Sequence, residues 1–284
     1  MNTFRIVTML FPEGKRKALT LSYDDGTVED RRLVGILNRY GIKCTFNLNS
    51  NSLGRGETKD ASGKVTEESA ITLEELPTLY AGHEIATHGS NHTAPTDCGS
   101  VALYEVLEDR RVFEKVLPYL VTGHAYPFGR YSKDVIDMLK AAGIRYARTV
   151  VSTGGFWLPE NFLEWHPTAH HADPKLMELA KRFCENDDVE DAQLFYLWGH
   201  SFEFERANNW NVIEEFASYM TGFSDSVWMA TNGEIIDYVT AFKNLVFSAD
   251  GSKVYNPSLQ TVWFASRGKV FSIAPGEVNA GGVL

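Results

Sequence analysis

Two adjacent carboxylates and two spaced histidines are the residues of this sequence best suited to metal chemistry. Asp24 and Asp25 follow the apolar run 18–23, so one can bind a metal ion while the other stays free as a base. His88 and His92 are four positions apart, and on a helical turn both imidazoles would reach one ion. Two histidines and one carboxylate leave open positions for water and substrate. The alternatives are an acidic strand end and a pair of loop histidines.

Two further predicted strand ends carry groups that could act on a substrate. The segment 125–129 contains Pro127 and Gly129, which fix a turn whose backbone N–H groups could face an oxyanion. The run 197–200 ends in His200, an imidazole that can be tuned to act as an acid near neutral pH. An ordinary turn and a structural histidine are the alternatives.

The elements that must position these groups alternate between short apolar runs and amphipathic stretches. We predict strands over 18–23, 44–48, 83–87, 123–128, 145–150, 193–198 and 227–230. We predict helices over 29–40, 73–80, 101–117, 133–142, 174–185, 211–219 and 234–247. This alternation indicates the α/β class with parallel strands covered by helices, and at this length it favours a (β/α) barrel. The order of the elements alone leaves a doubly wound sheet open.

Two regions fall outside this alternation. The polar segment 49–71 is long for a connection between a strand and a helix, so we expect it on the surface near the site. After residue 247 the pattern changes to short β-like runs over 253–255, 261–265 and 269–273. We therefore predict a barrel domain over 1–247 and a small β-rich appendage over 248–284, packed on the barrel.

The composition of the 284 residues is that of a globular protein, with 44% hydrophobic and 23% charged residues. The formal net charge of −10 disfavours nucleic acid and anionic membranes as partners. Cys44, Cys98 and Cys184 are too widely spaced for a disulfide framework or a CxxC metal site. The apolar stretch near the N-terminus is too short for a signal peptide, and no window approaches a membrane span, so we expect a soluble protein of the cytoplasm.

In the order and spacing of these motifs, residues 16–247 resemble the polysaccharide deacetylases of carbohydrate esterase family 4, the NodB homology fold. The family's first two motifs correspond to 22–26, Ser-Tyr-Asp-Asp-Gly, and to 88–92, His-Gly-Ser-Asn-His. Its third, fourth and fifth motifs correspond more loosely to 125–128, 164–165 and 197–200.

The resemblance implies a deformed (β/α)7-type barrel and metal-dependent removal of acetyl groups from N-acetylated sugars or polysaccharide. Asp25, His88 and His92 would hold a divalent ion, which we expect to be Zn²⁺, with Co²⁺ or Ni²⁺ as alternatives. Asp24 would be the general base that takes a proton from the attacking water.

The later motifs supply the remaining roles that the resemblance implies. His200 would protonate the departing amine, and the backbone N–H of Phe128 would face the oxyanion. We expect Tyr126, Trp165 and Trp198 to contact the substrate, since apolar sugar faces pack on aromatic rings. For the two tryptophans, core packing is the equal alternative.

Three positions depart from the family pattern. Gly89 replaces the usual Ser or Thr, and Glu164 replaces Asp. Ala125 stands where the family has an Arg that orients the catalytic aspartate. Our hypothesis is that Arg148, near the end of the next strand, supplies this guanidinium. An unrelated surface ion pair is the alternative.

The other histidines are given weaker roles. His166, His170 and His171 lie on one segment, which we interpret as a polar loop rather than as the lining of a substrate groove. His83 and His124 fall early in predicted strands, and we expect them in the core or at the far end of the barrel.

The sequence therefore predicts a metal-dependent hydrolase of carbon–nitrogen bonds whose partner is an acetylated carbohydrate. One alternative is a related hydrolase of another amide, such as a cyclic imide or ureide, or of O-acetyl esters. Another is a carbohydrate-binding protein that has lost catalysis. The presence of Asp24, Asp25, His88, His92 and His200 argues against that last alternative.

Overall fold

The computed structural model describes residues 7–186 and 190–279, so the parts of the predicted domains at 1–6, 187–189 and 280–284 lie outside the described residues. The strands are β1 (Val7–Leu10), β2 (Lys17–Asp24), β3 (Thr45–Leu48), β4 (Thr58–Lys59), β5 (Val65–Glu67), β6 (Glu84–Thr87), β7 (Gly123–Ala125), β8 (Tyr146–Arg148), β9 (Ala169–His170), β10 (Gln193–His200), β11 (Val227–Met229), β12 (Val246–Phe247), β13 (Val254–Tyr255), β14 (Val262–Ser266), β15 (Lys269–Ile273) and β16 (Val278–Asn279). The helices are α1 (Asp30–Arg39), α2 (Leu76–Leu79), α3 (Val101–Phe113), α4 (Lys133–Ala141), α5 (Leu176–Glu185), α6 (Ser201–Arg206), α7 (Asn211–Thr221) and α8 (Asn232–Lys243).

A curled parallel sheet forms the centre of the fold. Its strands follow the order β8-β7-β6-β3-β2-β10-β9, and β11 pairs with the first half of β2. Every residue of β2 is buried, which is typical of a parallel strand covered on both faces. The prediction of the α/β class and a deformed (β/α)7-type barrel is confirmed.

The helices cover the outside of this sheet with the faces that the sequence pattern indicates. In α1, for example, Leu33, Ile36 and Leu37 are buried against the strands. This helix carries one apolar stripe and leaves its remaining surface to charged residues, as expected for a helix packed on one side.

The segment between β8 and β10 connects the two edges of the sheet. Trp165 forms a parallel bridge with Arg148 at the β8 edge, and β9 pairs with β10 at the other edge. No strand was predicted here, because a two-residue strand is too short to show apolar periodicity.

Several predicted boundaries are wrong by a few residues. The helix predicted over 101–117 ends at Phe113, and the strand predicted over 123–128 ends at Ala125, because Pro127 begins a tight turn. The helix predicted over 234–247 ends at Lys243, and β12 occupies the last two of those positions.

The C-terminal region is β-rich, as predicted. β12, β13 and β16 form one small antiparallel sheet, and β14 and β15 form a hairpin. This hairpin is extended by the N-terminal strand β1, which pairs antiparallel with β14. Its buried side chains, among them Val262 and Phe264, join Ala241 and Leu245 at the end of α8 in one cluster. The predicted division of the chain at residue 247 stays a prediction.

The polar segment 49–71 contains a short hairpin of β4 and β5. Its base is held on the segment that follows β2, where the Ile71 N–H donates to the Gly26 carbonyl and the Val28 N–H donates to the Ser69 carbonyl. The segment therefore lies beside the end of β2, as expected. Among the helices of residues 7–186 and 190–279, none combines the length and the apolar character needed to cross a membrane.

Candidate functional site

The site begins where three neighbouring strands end at the same level. Asp24 at the end of β2 is in register with His200 of β10 on one side and with Asn47 of β3 on the other. Because the carboxyl ends of parallel strands meet at one edge, these side chains lie together at the mouth of the barrel.

The carboxylate of Asp24 is almost completely buried and surrounded by donors. The Arg148 guanidinium forms an ion pair with its Oδ2, and the Asn47 amide donates to Oδ1 at 2.8 Å. The Nε2 atoms of His88 and His200 lie 3.7 and 3.9 Å from Oδ2. Burial raises the pKa of Asp24, but Arg148, the histidines and Asn47 outweigh burial and lower this pKa to about 2. Asp24 is therefore an ionised carboxylate at neutral pH.

Asp25, His88 and His92 converge on one point beside Asp24. The Nε2 atoms of both histidines lie 3.7 and 3.8 Å from Oδ1 of Asp25. Ligands bound at about 2.0–2.2 Å in a tetrahedral arrangement lie roughly 3.3–3.6 Å apart, so these separations are close to those of ligands sharing a zinc-like ion. One ligand atom from each residue lies within 4.8 Å of the others.

The orientation of His88 suits it to bind a metal. Its Nδ1 lies 2.8 Å from the Ala125 carbonyl, which can only accept, so Nδ1 carries the proton and Nε2 keeps its lone pair toward Asp25. The His88 backbone N–H donates to the buried carboxylate of Asp109 at 3.0 Å. Burial, together with His88, lowers the pKa of His92 to about 4 and so keeps its ring in the neutral, metal-binding form. The donor set of one carboxylate and two imidazoles fits a divalent ion.

The backbone of these turns is held in conformations that side chains rarely adopt. Asp25, His92 and Phe128 have φ values of +77°, +55° and +57°, three of the six described residues other than glycine with positive φ. Such backbone strain concentrates at functional sites. Residues 88–92 form a turn closed by the His92 N–H and the Gly89 carbonyl, so the predicted helical turn is wrong. Gly89 itself has φ +76°, a backbone conformation that glycine adopts more readily than Ser or Thr.

Arg148 occupies the position across from Ala125. The two residues are direct partners in the register of β7 and β8. The Arg148 side chain is fully buried, packs over the Trp198 ring at 4.4 Å and reaches Asp24. The alternative of an unrelated surface ion pair is therefore wrong for Arg148.

His200 stands between Asp24 and a second carboxylate, Glu203 of α6. Its Nδ1 lies 3.2 Å from Glu203, while its Nε2 faces Asp24 and Asp25 at 3.9 and 4.0 Å. Burial lowers the pKa of His200, but Glu203 and the two aspartates outweigh burial and raise this pKa above its ordinary value. Glu203 and the two aspartates therefore favour the doubly protonated form of the His200 ring.

His170 and His171 face the same carboxylate of Glu203, with their Nε2 atoms 3.2 and 3.0 Å away. His170, His200 and Glu203 also meet a distance criterion for a metal site. The Nδ1 of His170, however, accepts the backbone N–H of Ala172 at 3.1 Å, so its neutral ring carries a proton on Nε2 toward Glu203. The imidazole N–H groups therefore donate to the Glu203 carboxylate, and this arrangement does not suit a bound cation.

Two of the three residues expected to contact substrate are buried in the core. Trp165 packs against Phe162 and Tyr196, and Tyr126 donates its hydroxyl to the Leu163 carbonyl. Both side chains are at most 1% exposed, so the expectation that they contact a sugar is wrong, and for Trp165 the core alternative holds. Only Trp198 retains partial exposure.

The remaining predicted residues occupy the following positions. The Phe128 side chain is exposed and its ring contacts His92 with centroids 4.6 Å apart. Glu164 accepts from the Asn161 amide, and His166 lies 2.6 Å from the Thr149 hydroxyl. His83 and His124 are buried among the strands, as expected.

A polar cleft of about 290 Å³ opens beside Asp25 and His92. Its wall is shared by the ends of the central strands, the β4–β5 hairpin and α6. Its lining residues include Asp25, Arg55, Glu67, Glu68, Phe202 and Arg206.

Sequence reasoning missed two groups that complete the site. Glu203 lies only three residues after His200, and the regular spacing on a helical turn could have indicated the pair. Asn47 carries no signal in the sequence, because only the register of β2 and β3 brings its amide to Asp24.

Comparison with known proteins agrees with the fold described above. A family model described as polysaccharide deacetylase matches residues 12–147. A solved structure from Mycobacterium smegmatis, assigned as a polysaccharide deacetylase, is 18% identical with a TM-score of 0.60, covering 83% of this chain and 94% of that one. A peptidoglycan deacetylase from Bacillus subtilis is 13% identical with a TM-score of 0.50, covering 80% and 94%. At these identities the structures establish the fold. No curated protein matches the sequence.

Proposed function

We propose that the chain is a metal-dependent deacetylase of N-acetylated sugars, a function supported by the match of residues 12–147 to a polysaccharide deacetylase family model. The observation that carries the proposal is the separation of charge at the strand ends. Asp24, whose pKa is lowered to about 2, and His200, whose pKa is raised above its ordinary value, flank Asp25, His88 and His92. Two titratable groups whose pKa values are pushed apart are suited to act as base and acid.

Asp25, His88 and His92 would hold the ion, with Zn²⁺ the first choice and Co²⁺ or Ni²⁺ as alternatives. When bound, such an ion lowers the pKa of water and polarises the acetyl carbonyl. The Ala125 carbonyl and the Asp109 carboxylate keep His88 oriented for this role.

The proton transfers are assigned to the residues on either side of the metal ligands. Asp24 accepts the proton of the water that attacks the acetyl carbon, and Arg148 holds this carboxylate in place. The backbone N–H of Phe128, on its strained turn, donates to the oxyanion. His200 then gives its proton to the departing amine, which leaves as the free amino sugar alongside acetate.

The test is acetate release from a panel of N-acetylated sugars, O-acetylated sugars and cyclic imides. Metal-stripped protein is assayed with and without added Zn²⁺. We expect release from N-acetylated sugars only with metal, and loss of release in Asp24→Asn. Asp137→Asn on exposed α4 is the matched control and should behave as the wild type.

Each other outcome of the panel has a defined meaning. Turnover of a cyclic imide or an O-acetyl ester alone would replace the substrate class and keep the site. Sugar binding without any product, unchanged in Asp24→Asn, would replace the enzyme with a binding protein. The cytoplasmic location stays a prediction from the sequence.

A further inference from the structure

The cleft beside Asp25 contains one guanidinium whose donors are only partly used. Arg55 makes its side-chain contacts through Nη1 alone, to the Ser52 hydroxyl at 3.1 Å and to Glu67 at 3.4 Å. Its Nε is buried without a hydrogen-bond partner, and its Nη2 has no partner either among residues 7–186 and 190–279. The other arginine of the cleft, Arg206, is held by Glu68 at 2.6 Å.

We propose that Arg55 is a substrate-binding residue whose Nη2 donates to a hydroxyl oxygen of the acetylated sugar. This inference rests on the proposed function, because it places the sugar ring in the cleft next to Asp25. The N–H groups of a guanidinium are charge-assisted donors, which form stronger hydrogen bonds than neutral donors do.

The attachment of the hairpin supports this assignment. The Ala70 N–H donates to the Arg55 carbonyl, and Ala70 also forms an antiparallel bridge with Thr27. Thr27 is only two residues from Asp25, so the backbone that carries Arg55 is tied to the backbone that carries a proposed metal ligand. The backbone of Arg55 is therefore held at a fixed place relative to Asp25.

The charges of the cleft indicate hydroxyl groups rather than a carboxylate as the ligand of Arg55. Asp25, Glu67 and Glu68 also line the cleft, and the chain carries a formal net charge of −10. An anionic substituent would meet these carboxylates, whereas neutral hydroxyl groups can also donate to them. The expected substrate is therefore a neutral N-acetylated sugar.

An aromatic ring also lines the cleft. Phe202 of α6 lines the cleft and lies 5.2 Å from His200 between ring centroids. Arg206 packs over the Phe202 ring at 4.5 Å and holds it there. A sugar between Phe202 and Arg55 would place its apolar face on the ring and its hydroxyl edge on the guanidinium.

The test is steady-state kinetics of Arg55→Met with a neutral N-acetylated sugar that the wild type deacetylates. Loss of a charge-assisted hydrogen bond that is present in both ground state and transition state should raise KM by about 10-fold and leave kcat unchanged. Arg55→Lys keeps the positive charge but replaces the planar guanidinium with an ammonium, so it should give an intermediate KM. Thermal unfolding of each variant checks that it is folded.

Lys59→Met is the matched control, since Lys59 is an exposed cation of the same hairpin that pairs with Glu57 and does not line the cleft. A wild-type KM for Arg55→Met, or equal effects in Lys59→Met, would overturn the proposal. A lower KM for a sugar bearing a carboxylate than for the neutral sugar would contradict the assignment of hydroxyl groups as the ligand of Arg55. Absence of acetate release by the wild type would instead contradict the proposed function.

Discussion

Two clusters of imidazoles and carboxylates flank His200. The first contains Asp24, Asp25, His88 and His92, and the second contains His170, His171 and Glu203. The imidazoles of the two clusters differ in which ring nitrogen carries the proton. In the first cluster, the Nδ1 of His88 faces a backbone carbonyl, so Nε2 is left with a lone pair toward Asp25. In the second, the Nδ1 of His170 accepts a backbone N–H, so Nε2 carries a proton toward Glu203. The backbone group behind each ring, rather than the composition of the cluster, decides whether the imidazole suits a metal or an anion.

The two clusters also differ in how firmly they are fixed. Asp24 is nearly inaccessible and is held by groups from several strands. The Glu203 side chain is 34% exposed and sits on α6, a helix of six residues. We therefore expect variants of the first cluster to have larger effects than variants of the second.

The largest expected effect separates the clusters by metal content. The wild type should bind one Zn²⁺ per chain at the first cluster, measured by elemental analysis after dialysis. His92→Ala should lose that ion and its activity, falling by at least about 10³-fold in kcat/KM. His170→Ala, the matched change in the second cluster, should keep the ion. A second ion in the wild type that His170→Ala removes would contradict the distinction between the clusters.

The next effect tests the support of Asp24. Arg148→Ala leaves a buried carboxylate without its guanidinium, so the pKa of Asp24 should rise and kcat should fall by about 10²–10³-fold. Arg145→Ala serves as the control, because Arg145 lies three residues away and pairs with Asp237 on the surface. Placing an arginine at the partner position, as Ala125→Arg in Arg148→Ala, should restore part of kcat. An unchanged kcat in Arg148→Ala would contradict the assignment of Arg148 as the support of the Asp24 carboxylate.

A smaller effect is expected from the second cluster. Glu203→Gln removes the negative charge that helps to raise the pKa of His200, so the alkaline limb of the pH–rate profile should move to lower pH. The value of kcat at neutral pH should fall by about 10-fold. Glu205→Gln on the same helix, with a largely exposed side chain, should leave the profile in place. An alkaline limb that does not move in Glu203→Gln would remove Glu203 from the proton transfer.

The smallest effect concerns the pH dependence of folding stability that is due to Asp30, a buried residue of α1. Burial raises the pKa of Asp30 to about 7, so the folded state holds a proton that the unfolded state has released above about pH 4. Wild-type stability should therefore fall as pH rises from about 4 to 7, whereas that of Asp30→Asn should not. The Tm advantage of the variant should grow between pH 5 and pH 8, at ~2–4 °C per kcal/mol. Asp137→Asn should show no such trend.

Much of the fold could be predicted from the sequence, because each strand and helix carries its own periodicity. The alternation from β2 to α8 and the strand ends at Asp24, His88 and His200 follow from such local patterns. Trp165 and Tyr126 could not be placed in this way, because whether an aromatic ring at a strand end faces a cleft or the core depends on neighbouring strands. The partnership of Arg148 with Asp24 was a hypothesis whose contact depends on the register of β8.

Long-range pairing explains the remaining misses. Nothing in the run 7–10 predicts that β1 pairs with β14, and nothing in Ala169–His170 predicts the edge position of β9. Such pairings are decided by the assembled barrel rather than by the segment itself.

The pairing of β1 with β14 has a consequence for synthesis of the chain. Leu10 and Trp263 are partners in this pairing, and the Tyr238 hydroxyl joins them by donating to the Leu10 carbonyl and accepting the Trp263 N–H. During synthesis Leu10 emerges from the ribosome long before Trp263, so β1 has no pairing partner while the barrel forms. The nascent chain is therefore exposed to wrong strand partners until its last strands emerge, and slower translation would lengthen that exposure.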